Sequence, residues 1–95
     1  MRKYECLYII APDVAEDARE ALITKFSDLV VKNGGTVDGI DKWGIKKLAY
    51  PIKFKKEGFY VLMNYSAEGN FPKEMEKLMN ITSGILRSMS VVKEN

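Results

Sequence analysis

The chain has 95 residues, 46% hydrophobic and 29% charged, with a formal net charge of +2. That size and composition suit one folded domain over 1–95 and are unlike those of a disordered chain. No apolar run reaches the ~20 residues that cross a bilayer, and histidine is absent while Cys6 stands alone, so no membrane, metal, cofactor or intrachain disulfide is expected and a cytoplasmic location is.

The first segment, Arg2 to Ala11, is rich in Tyr, Leu and Ile and holds no turn former, so it reads as a strand. Its apolar residues fall on both parities, Tyr4, Cys6, Tyr8 and Ile10 on one and Leu7 and Ile9 on the other. A strand apolar on both faces belongs in the middle of a sheet. Asp13 then offers an N-cap with Glu16 as capping-box partner. Behind it Ala18, Leu22, Phe26, Leu29 and Val30 recur at helical spacing until Asn33, Gly34 and Gly35 end the helix.

Thr36 to Ile52 reads as a long second strand, with Gly39 and Gly44 as bulge sites. Its lysines and Pro51 suit an edge. A lysine-rich loop is expected next, then a third strand from Gly58 to Ser66, almost continuously apolar from Phe59 to Met63 and therefore central. Asn70 or Phe71 opens a second helix with Pro72 in its first turn. Phe71, Met75, Leu78, Met79 and Thr82 share one side of it, and a last strand runs from Ile85 to Lys93.

The order strand-helix-strand-strand-helix-strand predicts an α+β, ferredoxin-like βαββαβ fold, a four-stranded antiparallel sheet with two helices packed on one face. The other face is then left open. Leu7, Ile9 and one of the two third-strand sets (Phe59, Val61 and Met63, or Tyr60 and Leu62) must lie on it, and exposed apolar area rimmed by charge marks a binding surface. Arg87 sits mid-strand between Leu86 and Ser88, where burial without a partner is costly. It is placed on the open face with Met89 and Val91, leaving Ser88 and Ser90 toward the helices. The alternative for Arg87 is a cross-strand salt bridge to Glu5.

The small net charge conceals a segregation. Lys42, Lys46, Lys47, Lys53, Lys55 and Lys56 fall within one stretch free of acids, whereas Asp13 to Lys32 holds five acids against three bases. Trp43, Tyr50, Phe54, Phe59 and Tyr60 interleave with the lysines. Cations offset phosphate repulsion and aromatic rings stack on unpaired bases, so the mixture favours RNA over a small acidic ligand. The simpler reading of the same stripe is a charged, protected sheet edge.

Catalytic chemistry is thin. There is no phosphate-cradling loop or dinucleotide fingerprint. Cys6, mid-strand and without histidine, reads as a buried thiol. Asp13, Glu16, Asp17 and Glu20 suit the first turns of a helix better than a metal site. An acylphosphatase-like hydrolase would need an anion-binding loop where this chain has Ala11-Pro12-Asp13. The RNA-recognition-motif signature fits poorly to Glu57-Gly58-Phe59-Tyr60-Val61-Leu62-Met63-Asn64. A ferredoxin-like regulatory ligand-binding domain and other RNA-binding modules stay open as alternatives.

The run Trp43-Gly44-Ile45-Lys46-Lys47-Leu48-Ala49-Tyr50-Pro51-Ile52 resembles the hallmark of the bacterial ribosomal protein S6 family. Met1 to Glu5, Gly58 to Met63 and Leu86 to Met89 agree with it at the expected places. The resemblance implies a structural, non-enzymatic constituent of the small ribosomal subunit. It would bind the central domain of small-subunit ribosomal RNA as a heterodimer with ribosomal protein S18, which docks beside the long second strand, and would take no small-molecule substrate. Carried over by that match, Arg2, Lys3 and Arg87 are candidate RNA contacts. Lys46 and Lys47 match the family's basic pair, suited to RNA or partner, and Trp43, Leu48 and Tyr50 are candidate partner contacts. Lys53, Lys55, Lys56 and Lys93 join the RNA candidates on electrostatic grounds.

Overall fold

Strands apolar on both parities belong in the middle of a sheet, and that is where the two most apolar segments lie. A computed structural model describes residues 1–93. Its order is β1 (Arg2–Ile10), α1 (Glu16–Lys32), β2 (Thr36–Ile52), β3 (Lys55–Ala67), α2 (Phe71–Ile81) and β4 (Ile85–Val92). The four antiparallel strands lie in the order β2-β3-β1-β4, so β1 and β3 are central and β2 is an edge, as the sequence predicts.

The helices cover one face. Tyr4, Cys6, Tyr8 and Ile10 of β1 meet Phe59, Val61, Met63 and Tyr65 of β3 there, with Ile23, Phe26 and Val30 of α1 and Phe71, Met75 and Met79 of α2 above them. The aromatic residues interlock: Tyr8 meets Phe26 edge-on with ring centroids 5.5 Å apart, and Tyr65 meets Phe71 at 6.1 Å.

Helix α1 departs from expectation in two ways. Its N-cap is Ala15 without a side-chain cap, so the expected Asp13–Glu16 capping box does not form. Asp13 instead accepts a hydrogen bond from Lys55 Nζ at 3.2 Å. The buried stripe runs through Ile23, Phe26 and Val30, leaving Ala18 exposed. Arg19 takes the position expected for Ala18 and lays its guanidinium 4.1 Å from the centre of the Phe59 ring.

The expected lysine-rich loop is absent, because β3 begins at Lys55 and pairs with Ile52 across a two-residue turn. That turn is Lys53-Phe54, and both residues have positive φ, 49° and 67°. This backbone matches the twist of a hairpin but is normally supplied by Asn or Gly. Each ordinary side chain held there costs on the order of 1–2 kcal/mol.

Three register shifts bend β2. Those between Val37 and Gly39 and between Lys42 and Gly44 confirm bulges beside the two glycines, and Gly44 has a φ of 86° that other residues rarely adopt. The third, between Lys47 and Ile52, sets Leu48-Ala49-Tyr50-Pro51 against a single β3 residue. This run folds back over the sheet.

Candidate nucleic-acid interface

Register determines what the face without helices displays. Pairing Leu7 with Leu62 and Met89, and Leu62 with Asp41, lays Asp41, Leu62, Leu7 and Met89 in one row across the four strands. The next row holds Gly39, Asn64, Glu5 and Val91, and the row on the other side holds Gly44, Tyr60, Ile9 and Arg87. The Tyr60 and Leu62 set is therefore the open one. Met89 and Val91 are about half exposed, at 48% and 50%.

Arg87 reaches this face through a bulge. Ile10 pairs with Ile85 and Ile9 with Arg87, so Leu86 is the extra residue. Leu86 and Arg87 therefore both serve the open side, while Ser88 turns to the helix side and donates to Asn80 Oδ1 at 3.0 Å. The bulge resolves the conflict between parities in the last strand. Arg87 does not pair with Glu5, which lies opposite Val91; its Nη1 donates to the Tyr50 hydroxyl at 2.5 Å.

The face is not bare along its whole length. Leu48 and Ile52 of the folded-back run pack on Ile9, Ala11 and Leu86, which are buried beneath them, and Tyr60 joins this second cluster. Gly58 makes room for it, since a Cβ there would collide with Ile9 Cγ2. The end carrying Ile9 and Leu86 is thus roofed by the chain itself, a correction to the expectation of a wholly uncovered side. The stretch around Leu7, Leu62, Met89 and Val91 has no such roof.

The cations fall into two groups rather than one margin. Lys3 and Lys93 share a corner, where the Lys93 N–H donates to the Lys3 carbonyl at 2.8 Å. Six residues along β1, about 20 Å away at ~3.4 Å per residue, Arg87 lies near Tyr50 and the base of the β2–β3 hairpin. Lys46 Nζ lies 5.6 Å from the centre of the Trp43 ring. Between the two groups the apolar row is flanked by Glu5 and Asp41.

Several lysines of the stripe are already engaged. Lys42 bridges to Glu20 at 2.6 Å, Lys55 to Asp13, and Lys53 Nζ donates to the Ile85 carbonyl at 3.2 Å. Lys47 lies opposite Glu57, and Lys56 is exposed within the third register shift. Arg2 pairs with Ala67 and has the parity of the helix side, so it does not share a face with Lys3 and Arg87. Of the candidate partner contacts, Trp43 stacks on Tyr60 at 6.3 Å and bonds Asp41 Oδ2. Leu48 is half-buried in the roof, and Tyr50 is held by Arg87.

The titratable groups of the covered face are inert. Desolvation raises the Cys6 thiol to about 11, opposed by Ser90 and reinforced by Glu76. Its Sγ lies 3.7 Å from Met79 Sδ. Burial likewise pushes the Tyr65 hydroxyl up to about 12 and raises Tyr8. Asp13 is shifted the other way, below its usual range, chiefly by the hydrogen bond from Lys55. Among the described residues, no group of three or more carboxylate or thiol side chains converges as a metal site would require.

Known proteins share this fold. The family described as Ribosomal protein S6 matches residues 3–92. The chain is 44% identical over 91 residues to the small ribosomal subunit protein bS6 of Caldanaerobacter subterraneus subsp. tengcongensis, covering 96% of each chain. It is 45% identical over 91 residues to that of Clostridium novyi, again with 96% of each covered. The crystal structure of 30S ribosomal protein S6 from Thermotoga maritima superposes with a TM-score of 0.90 at 31% identity, over 97% of this chain and 87% of that one. The family match, the near-full-length similarity and the shared fold agree, and the chain belongs to the ribosomal protein S6 family.

Proposed function

We propose that this chain binds the central domain of small-subunit ribosomal RNA, together with ribosomal protein S18, as a structural constituent of the small subunit. As a member of a ribosomal protein family it is a cytoplasmic structural component and not an enzyme. The observation that carries the RNA reading is the pairing of an unroofed apolar row, Leu7, Leu62 and Met89, with cations at both ends of the same face. Water alone gives no reason to display such a row, whereas an RNA–protein assembly covers it and brings phosphates to Lys3, Lys93, Arg87 and Lys46. The docking side for S18 in this reading is the β2 edge, supported by the exposure of Trp43 and Ile45 there. The mechanism is positioning: a rigid sheet holds two cationic sites about 20 Å apart, and each neutralised phosphate releases counterions.

The test is affinity for a transcript of that RNA domain, measured with S18 present across a salt series. Affinity should fall steeply as salt rises. Replacing Lys3 and Arg87 together by Ala should flatten the slope by about two contacts, while Arg2→Ala, on the other side of the sheet, changes it less. A flat salt response of the unaltered protein would rule out phosphate contact.

A further inference from the structure

The hairpin tip carries a feature that the open face leaves unexplained. Phe54 is fully exposed, at 100%, on a residue with a φ of 67° beside a second positive-φ residue, Lys53. Single exposed apolar side chains are ordinary on protein surfaces. A large aromatic ring in a backbone conformation that Asn or Gly adopts more readily is not, and such outliers gather at functional contacts.

The tip is also braced. Lys53 Nζ donates to the Ile85 carbonyl, tying one side of the turn to the start of β4. Lys55 bridges to Asp13, tying the other side to the loop between β1 and α1. Ile52, immediately before the turn, is anchored in the cluster of Ile9, Leu86 and Leu48. The ring is therefore displayed on a fixed mount, and a contact made there loses little conformational freedom.

Lysines flank it in sequence: Lys53, Lys55 and Lys56 adjoin the turn, with Lys55 paired to Asp13 and Glu57 following them. An ammonium group has three donors, so Lys53 and Lys55 each keep protons to offer beyond the bond already described. Cationic residues next to a projecting ring in the chain suit an anionic ligand with an aromatic face. That describes an unpaired nucleotide, whose base stacks while its phosphates meet the lysines.

We propose that Phe54 is a stacking finger, which docks an unpaired base of the RNA at the hairpin tip, separately from the contacts of the open sheet face. The inference rests on the RNA-binding reading above and adds the site and the unpaired-nucleotide chemistry to it.

Phe54→Gly and Phe54→Trp test it, each titrated as a preformed heterodimer with S18 against the central-domain transcript. Glycine accepts positive φ without strain, so F54G should melt no lower than the unaltered protein. It should nevertheless bind the transcript about ten-fold more weakly, whereas F54W, which keeps a stacking ring, should bind within about two-fold. A fully duplexed RNA of equal length should not distinguish the three proteins. F54G binding the transcript like the unaltered protein overturns the inference and leaves the RNA reading standing. Failure of the unaltered protein to bind sinks both. If F54G weakens only the heterodimer measured without RNA, the finger serves the protein partner and the inference is wrong.

Discussion

The two faces of this sheet are made by alternate residues of the same strands, yet they solve different problems. On the helix side, Tyr8, Tyr65, Met63 and Phe26 are wholly excluded from water. One residue away along β1 and β3, Leu7 and Leu62 keep partial exposure, and Met89 beside them is nearly half exposed. The difference teaches that a strand's apolar content does not say how much of it serves stability. Burial against α1 and α2 holds the fold together, and the same kind of side chain on the opposite side stays partly exposed.

Replacing a residue on each face tests that division most strongly. Tyr65→Ala should lower stability by about 3–5 kcal/mol in urea unfolding, while Leu62→Ala should cost about 1 kcal/mol, because only part of its surface leaves water. Equal losses would mean that the open face is as structural as the covered one.

Alkaline unfolding reads the covered face. Cys6 rises from 9.0 to about 11 in the folded protein and Tyr65 from 10.0 to about 12, both chiefly through desolvation. Below pH ~9 both states hold these protons, and the groups do not alter stability with pH. From there upward the unfolded chain ionises first and is favoured, so stability should fall through the folded values. Cys6 accounts for about 2–3 kcal/mol of that loss. Cys6→Ala should remove that part of the decline between pH 9 and 11, measured as urea midpoints. An unchanged decline would show that the thiol is not shielded.

Tyr50→Phe addresses the roof that divides the open face. Loss of the hydroxyl that accepts from Arg87 should cost only about 0.5–1.5 kcal/mol, because Leu48 and Ile52 still anchor the folded-back run. A larger loss would make the roof part of the core rather than an adjustable edge.

Much of this was legible from residue order. The mixed parity of β1 and β3 placed them centrally, the lysines and Pro51 placed β2 at an edge, and the hallmark run pointed to the family. Facing was harder to read. Leu86 to Val92 mixes apolar and polar residues on both parities, so neither is comfortable, and the bulge at Leu86 that settles it depends on pairing with β1. The stripe of lysines looked uniform, yet Lys42, Lys53 and Lys55 have intramolecular partners from distant segments. Arg2 and Arg87, both candidate RNA contacts by resemblance, prove to have opposite facing.

Periodicity and turn chemistry, which act over a few residues, were enough to determine the elements, their order and the central pair of strands. Only the tertiary structure decided which cations share a face, how far β2 folds over it and how Phe54 is presented at the tip. The physical reason is range. A strand's two-residue alternation is a local property, but one extra residue in a ladder reverses the facing of every later residue in that strand. Whether the extra residue is accommodated depends on neighbours tens of positions away.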